Sequence, residues 1–146
     1  MLKKIPSILP PNLVKIMMEM GHGDEIVLAD GNFPTAELGR RVVRMDGHNV
    51  PEILEAILKF FPLDPMVENP VMLMEVPAGS DVKTPIWDEY KKIIENSEEA
   101  KGMANGFMNI ERFEFYDRAK KAYVIIATSE PAIYANIILK KGIVTE

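Results

Sequence analysis

Residues 21–30, Gly-His-Gly-Asp-Glu-Ile-Val-Leu-Ala-Asp, give the clearest indication of how this chain is built. The apolar run 26–29 is typical of a buried strand, and a histidine between two glycines comes just before it. Asp30 follows the strand directly, where open α/β sheets place their ligand sites. Because glycines let backbone and ligand come close to a side chain, His22 and Asp30 are the first candidates for a functional site.

Four segments of the chain carry the apolar repeat of an amphipathic helix, namely 11–20, 51–61, 85–95 and 112–121. Proline stands in or near the first turn of the first three, and Gly21 and Pro62 are natural stops for the first two. In the fourth segment, Phe113, Tyr116 and Lys120 would lie on one side of the helix.

Short apolar runs predict the strands of a sheet at 25–30, 41–45, 70–76, 122–128 and 137–139. The polar segment 96–106 fits either a frayed helix or a loop. Because strands alternate with helices along the chain, the sequence predicts an α/β fold with helices on both faces of one sheet. There is no internal repeat and no long linker, so we expect residues 1–146 to form a single domain.

Composition narrows the classes of function. The 146 residues are 47% hydrophobic, contain no cysteine and carry a net charge of -5. A negative chain without a basic stripe argues against a nucleic-acid partner. No segment is typical of a signal peptide or a membrane helix, so no membrane partner is expected. The absence of cysteine favours a reducing compartment, and we therefore expect a cytoplasmic protein.

Each candidate side chain allows a functional and a structural interpretation. Imidazole has an ordinary pKa that suits proton transfer near pH 7, so His22 fits an acid–base role or a helix cap. Asp30 fits a ligand-binding carboxylate or an aspartate that bonds its own turn. Tyr134 and Asn136, which flank Ala135 before an apolar strand, fit hydrogen bonding to a polar ligand or the capping of a turn. Arg112, considered alone, fits no more than an ion pair with a neighbouring acid.

A metal or nucleotide site has little support in the sequence. The chain has two histidines, His22 and His48, and their spacing with Asp24 and Glu25 matches no known ligand motif. The dinucleotide fingerprint, the phosphate loop and the nucleophile elbow are also missing. We therefore expect no metal and no cofactor, and we expect His48 to lie at the surface.

Taken in order, the segments 8–13, 19–26, 29–30, 33–34, 112–122 and 134–142 resemble the fucose mutarotase and ribose pyranase family. The match includes Gly-His-Gly-Asp near one end of the chain and Tyr-x-Asn near the other, and it is weakest at 81–109. Arg112 stands where fucose-type members have an arginine and ribose-type members tend to have a histidine. Asn32 stands where some fucose-type members have a histidine. On balance the resemblance lies closer to the fucose branch.

The resemblance implies that the protein interconverts anomers of a free monosaccharide. It also implies a three-layer α/β/α sandwich with a mixed sheet, and a ring-shaped homodecamer with sites near the contacts between subunits. His22 would transfer protons, and Tyr134 would relay the second proton or orient the sugar. Asp30, Arg112 and the segment Tyr134-Ala135-Asn136 would bind the sugar, and Asp30 would also influence His22. This chemistry requires no metal, nucleotide or covalent intermediate.

We therefore expect a mutarotase that acts on L-fucose or a related free sugar. Three alternatives remain open at this point. The protein could be a D-ribose pyranase, or it could be a non-catalytic sugar-binding protein of a transport or regulatory system. The third alternative is a metal-dependent lyase or isomerase that uses His22, Glu25 and His48.

Overall fold

A six-stranded mixed sheet forms the centre of the molecule. The computed structural model describes all residues from Met1 to Glu146. The strands are β1 (Glu25–Ala29), β2 (Val42–Met45), β3 (Val71–Met74), β4 (Met108–Ile110), β5 (Val124–Thr128) and β6 (Ile137–Lys140). They lie in the order β2-β5-β1-β6-β3-β4.

Strand direction creates two distinct edges of the sheet. Strand β6 is antiparallel to both of its neighbours, β1 and β3, whereas the other pairs are parallel. The carboxyl ends of β1 to β5 therefore lie together with the start of β6, and we call this side the carboxyl edge. The opposite side, where β1 begins and β6 ends, is the amino edge.

Helices cover both faces of the sheet, as predicted. They are α1 (Pro11–Glu19), α2 (Thr35–Leu38), α3 (Val50–Ile57), α4 (Pro85–Glu95) and α5 (Arg112–Lys121). Buried residues of α1, α3 and α4 belong to one apolar cluster, and those of α5 belong to a second cluster, against which Leu38 of α2 also packs. Residues of β1, β3, β5 and β6 alternate between the two clusters. This is a three-layer α/β/α sandwich, and its two cores are separated by the sheet.

The sequence-based assignment is wrong or incomplete at four places. The short helix α2 and strand β4 were not predicted, and the undecided segment 96–106 contains a 3-10 helix at Ala100–Met103. Helix α3 is shorter than expected and ends at Ile57. Helix α5, by contrast, has its predicted bounds. Its buried residues are Phe115 and Ala119, whereas Phe113 is 66% exposed. Phe113 lies in the first turn, on the side of the helix that does not pack on the sheet.

The helices are also short. The longest, α4, has 11 residues, and none of them combines the length and the apolar character that crossing a membrane would require.

Candidate active site

The predicted site residues fall into two groups at opposite edges of the sheet. His22 precedes β1 at the amino edge, whereas Asp30 follows β1 at the carboxyl edge. The five residues of β1 separate the two groups by roughly 17 Å. One copy of the chain therefore does not bring His22 and Asp30 together, and the expected influence of Asp30 on His22 does not occur within a single chain.

The turn that carries His22 is fixed by its own backbone. Gly23 has a φ of +86°, a conformation that favours glycine, and its N–H donates to the carbonyl oxygen of Lys141 at 2.8 Å. The Gly21 N–H donates to Asp24 Oδ2 at 2.7 Å. The turn is thus attached to the end of β6, and the His22 side chain remains 40% exposed.

Asp64, which the sequence analysis did not identify, is the partner of His22. Its Oδ1 lies 3.1 Å from His22 Nε2, and its side chain is only 2% exposed. Burial acts to raise the pKa of Asp64, but hydrogen bonds from the Met66 N–H and His22, with the positive charge of Lys140, outweigh it and hold that pKa below its usual value. The carboxylate is therefore ionised near neutral pH and accepts the Nε2 proton, which leaves Nδ1 for other partners.

Close packing of two chain segments puts Asp64 in this position. The Asp64 N–H donates to Lys140 O at 3.0 Å, and the Gly142 N–H donates to Pro62 O at 2.8 Å. A Cβ at position 142 would lie 2.6 Å from Leu63 O, so only glycine allows the approach. Asp64 follows His22 by 42 positions, and no local pattern in the sequence connects the two.

At the carboxyl edge, Asp30 and Asn136 are bonded to each other in both directions. The Asp30 N–H donates to Asn136 Oδ1 at 2.7 Å, and Asn136 Nδ2 donates to Asp30 Oδ2 at 2.9 Å. The Asn32 N–H donates to Asp30 Oδ1 at 2.9 Å. Asp30 is 8% exposed and Asn136 is 4% exposed. The pair thus fixes the start of β6 against the end of β1, and the structure brings these two predicted site residues together.

The electrostatic state of Asp30 is the opposite of that of Asp64. Burial raises the pKa of Asp30 above its usual value, although hydrogen bonds from Asn32, Asn136 and Phe33 act to lower it. The negative charge of Glu130 adds to the upward shift. A carboxylate in this state favours contact with hydroxyl donors, because each new donor stabilises its charged form.

Tyr134 and Arg112 complete this edge. Tyr134 has a φ of +55°, which is uncommon for a residue other than glycine. Arg112 Nε donates to the Tyr116 hydroxyl at 3.1 Å, and this hydrogen bond and the nearby Tyr134 both act to raise the pKa of Arg112. Phe33 packs edge-on against Tyr116, with ring centroids 5.6 Å apart. Neither Phe33 nor Tyr116 was given a role by the sequence analysis, although both lie in segments that carry the family resemblance.

A cavity of about 330 Å³ opens beside Asp30, lined also by Phe33, Thr35, Glu37, Arg44 and Thr128. This volume lies near the lower end of the range for small-molecule sites. A larger groove, about 1030 Å³, lies between α3 and α4 and contains none of the predicted site residues. Of the predicted site residues, Asp30 alone lines the smaller cavity, which makes it the better candidate of the two for part of a sugar site.

The residues considered for a metal site are not brought together. His48 follows β2 at the carboxyl edge and its Nδ1 lies 3.1 Å from Glu52 Oε1, whereas His22 lies at the amino edge. Glu25 accepts from Arg118 Nε at 2.9 Å. No cluster of three or more His, Cys, Asp or Glu side chains has an arrangement that would hold a metal ion.

Comparison with known proteins gives a consistent result. The model of the RbsD / FucU transport protein family matches residues 3–144. The fucose mutarotase of Homo sapiens is 47% identical, over 97% of this chain and 94% of its own length. The crystal structure of FucU from Bifidobacterium longum is 52% identical, with a TM-score of 0.92 over 98% of this chain and 100% of that one.

A second solved structure holds a sugar. It is the fucose mutarotase from Streptococcus pneumoniae in complex with L-fucose, which is 47% identical, with a TM-score of 0.90 over 99% of this chain and 100% of that one. The match extends through both edges of the sheet and both core clusters. The chain belongs to the RbsD / FucU transport protein family, and its resemblance lies on the fucose mutarotase side of that family.

Proposed function

We propose that this protein is an isomerase that interconverts the α and β anomers of L-fucose, and that residues 1–146 act as one sugar-binding domain. The observation that carries the proposal is the likeness to the Streptococcus pneumoniae fucose mutarotase, described in complex with L-fucose and 47% identical over 99% of this chain. The human relative, also named a fucose mutarotase, supports the same activity at 47% identity.

The reaction requires two proton transfers and no oxidant. When a base takes the proton from the anomeric hydroxyl, the O–H electrons form the carbonyl bond at C1. The electron pair of the bond between C1 and the ring oxygen moves to that oxygen, which then accepts a proton. The resulting aldehyde rotates about C1–C2, and closure on the other face reverses both transfers. General acid–base catalysis by one imidazole and a second hydrogen-bonding group is sufficient.

His22 has the geometry for the main proton-transfer role. Its Nε2 is bonded to Asp64, 3.1 Å away, so that Nδ1 is the nitrogen that meets the sugar. When Nδ1 takes a proton, the ionised Asp64 stabilises the imidazolium and fixes the ring orientation. Asp64 is therefore a positioning residue for His22.

The carboxyl edge has the groups that hold the sugar. Asp30 and Asn136 offer an acceptor and an amide in a fixed arrangement, and they bind sugar hydroxyls. Arg112 adds a rigid fork of donors, and the Tyr134 hydroxyl supplies the second proton or orients the ring. L-Fucose is a 6-deoxy sugar, and the Phe33 and Tyr116 rings offer an apolar surface for its methyl group.

The two groups of residues can meet only between copies. Because His22 and Asp30 lie at opposite ends of β1, a complete site requires the amino edge of one copy against the carboxyl edge of another. A head-to-tail contact of this kind closes into a ring when the rotations between neighbouring copies add up to a full turn. The ring of ten subunits implied by the resemblance is consistent with this requirement, and we propose that the enzyme works in that form, in the cytoplasm.

Two alternative functions predict different results in one experiment. Saturation-transfer proton NMR on L-fucose, D-ribose and D-galactose, with and without the protein, measures exchange between anomer signals directly. Faster exchange for L-fucose, with little effect on ribose, is the expected result. Faster pyranose-to-furanose exchange of ribose would assign a pyranase instead. Line broadening by bound sugar with exchange at the background rate would assign a non-catalytic binding protein.

A further inference from the structure

We propose that helix α4 positions the sugar-binding turn 134–136 through two hydrogen bonds from its side chains, donated by Trp87 and Tyr90. This inference rests on the proposed function, because it assigns Trp87 and Tyr90 an indirect role in sugar binding. Helix α4 lies in the segment where the family resemblance is weakest. Its residues therefore received no role in the sequence analysis beyond core packing.

The two hydrogen bonds end on consecutive backbone carbonyls of the turn. The Trp87 indole Nε1–H donates to the carbonyl oxygen of Tyr134 at 2.8 Å. The Tyr90 hydroxyl donates to the carbonyl oxygen of Ala135 at 2.6 Å. Trp87 and Tyr90 are three positions apart and therefore lie on the same side of the helix.

The backbone conformation of the turn explains why it needs support. Tyr134 has a φ of +55°, a conformation that residues other than glycine adopt only when their surroundings impose it. Tyr90 and Ala135 are fully buried, so no solvent replaces a missing donor at the Ala135 carbonyl. Burial also raises the pKa of Tyr90 well above its usual value, which keeps its hydroxyl protonated and able to donate.

The turn is held from opposite faces of the sheet. Trp87 and Tyr90 pack with the core cluster of α1, α3 and α4, whereas the Tyr134 side chain packs against the cluster of α5. The next residue, Asn136, is bonded to Asp30. Fixing both carbonyls from one face therefore determines the angle at which the Tyr134 side chain leaves the other face, beside Arg112.

Trp87 also supplies a spectroscopic probe, because it is the single tryptophan of the chain. A proton–nitrogen NMR spectrum should contain one indole signal. The proton that gives this signal is hydrogen-bonded to the backbone carbonyl of Tyr134, the residue that contacts the sugar in the proposed function. Addition of L-fucose should shift this signal in the wild-type protein. A signal that does not move at saturating L-fucose would contradict the connection between Trp87 and the site.

Kinetics of conservative variants test the positioning role. In Tyr90→Phe the ring stays and the donor is lost, so we expect KM for L-fucose to rise about tenfold. The value of kcat should fall by less than KM rises, because His22 and Asp64, which have the main proton-transfer role, lie at the other edge. Trp87→Phe should act in the same direction by a smaller factor, since its site is only partly buried. Ile94→Val is the matched control: Ile94 is fully buried on the same helix, and its variant should lower the melting temperature without changing KM.

A second experiment separates a positioning role of Tyr90 from other causes of a raised KM. In a Tyr134→Phe background, Tyr90→Phe should raise KM by much less than tenfold, because both changes then act on the same contact. Amide hydrogen exchange of segment 131–137 should speed up in Tyr90→Phe but not in Ile94→Val. Unchanged KM and exchange in Tyr90→Phe, or the full KM effect in the Tyr134→Phe background, would overturn the inference. A wild-type protein that neither binds L-fucose nor accelerates its anomer exchange would refute the proposed function. The amide hydrogen exchange of segment 131–137 would still decide whether α4 holds the turn.

Discussion

Asp64 at the amino edge and Asp30 at the carboxyl edge are both almost fully buried, yet their pKa values are displaced in opposite directions. Asp64 accepts hydrogen bonds from the Met66 N–H and from His22 and lies near the positive charge of Lys140, whereas Asp30 has a neutral amide and the negative Glu130 as neighbours. Burial alone therefore does not determine the state of a carboxylate, and its charged neighbours decide. The amino edge is suited to stabilising an imidazolium, and the carboxyl edge is suited to holding neutral hydroxyls.

The largest effect should come from removing the imidazole at the amino edge. His22→Ala should reduce anomer exchange of L-fucose by about 10²- to 10⁴-fold, the usual contribution of a general acid–base group. L-Fucose should still bind, because the carboxyl edge is intact. His48→Ala is the matched control, since His48 is the other histidine of the chain and also lies 3.1 Å from a carboxylate oxygen. If the saturation-transfer rates fell equally in both variants, His22 would not be the main proton-transfer group.

Removal of the charge on Asp64 should have the next largest effect. Asp64→Asn keeps the size of the side chain but cannot stabilise a protonated His22, so kcat should fall roughly 10- to 100-fold. Glu52→Gln is the matched control: it removes the charge from the carboxylate that pairs with the exposed His48, and it should leave kcat unchanged. If Asp64→Asn retained the wild-type kcat, the bond between His22 and Asp64 would be structural only.

At the carboxyl edge, we expect substitution to affect binding more than turnover. Asp30→Asn removes a charged acceptor from a nearly buried site, and KM for L-fucose should rise about tenfold. The value of kcat should change by less than about threefold, because the proton-transfer groups are untouched. A fall in kcat at constant KM would indicate that Asp30 takes part in proton transfer, contrary to the division of labour between the edges.

The smallest effect is a pH dependence of stability that has opposite signs at the two edges. The native pKa of Asp64 is lowered, so its contribution is present above the unfolded pKa, about 3.9, and is lost as pH falls toward the native value. The native pKa of Asp30 is raised, so its ionisation costs stability as pH rises from the unfolded pKa through the native value.

Urea unfolding of Asp64→Asn and Asp30→Asn at several pH values between 3.5 and 7 would measure this difference. Relative to wild type, Asp64→Asn should be more destabilised at pH 7 than at pH 3.5. Asp30→Asn should show the reverse trend, because it loses a group whose charge is unfavourable in the folded state. Parallel pH dependences in the two variants would contradict the electrostatic contrast.

The regular elements of this fold could be read from the sequence where the apolar pattern was strong. Helix α4 begins and ends at the predicted residues, and β1, β2, β3 and β5 lie within the predicted runs. Strand β6 begins as predicted and ends one residue later, at Lys140. Strand β4 was missed because two of its three residues are exposed and it has no apolar run. Helix α5 also has its predicted bounds, but its buried residues, Phe115 and Ala119, were not identified, because a helix with many charged residues leaves the position of its apolar face poorly determined.

The candidate site was less predictable than the fold. Asp64 has no local signal, because the close approach at Gly142 that brings it to His22 depends on tertiary packing. The separation of His22 from Asp30, by contrast, follows from the predicted strand between them, although Asp30 was expected to influence His22. An extended strand lies between them, and residues that are close in sequence but flank a strand must lie at its two ends.

Mixed oligomers provide the most direct test of the proposed division of one site between two copies. A His22→Ala chain would be co-expressed with a carboxyl-edge variant that carries Asp30→Asn and Arg112→Ala, each with a different purification tag. In isolated mixed oligomers, about one quarter of the contacts should join an intact amino edge to an intact carboxyl edge, because a heterologous interface takes one edge from each copy. We predict that exchange of L-fucose recovers to about that fraction of the wild-type rate. Activity no higher than the mean of the two parent variants would contradict a site shared between copies.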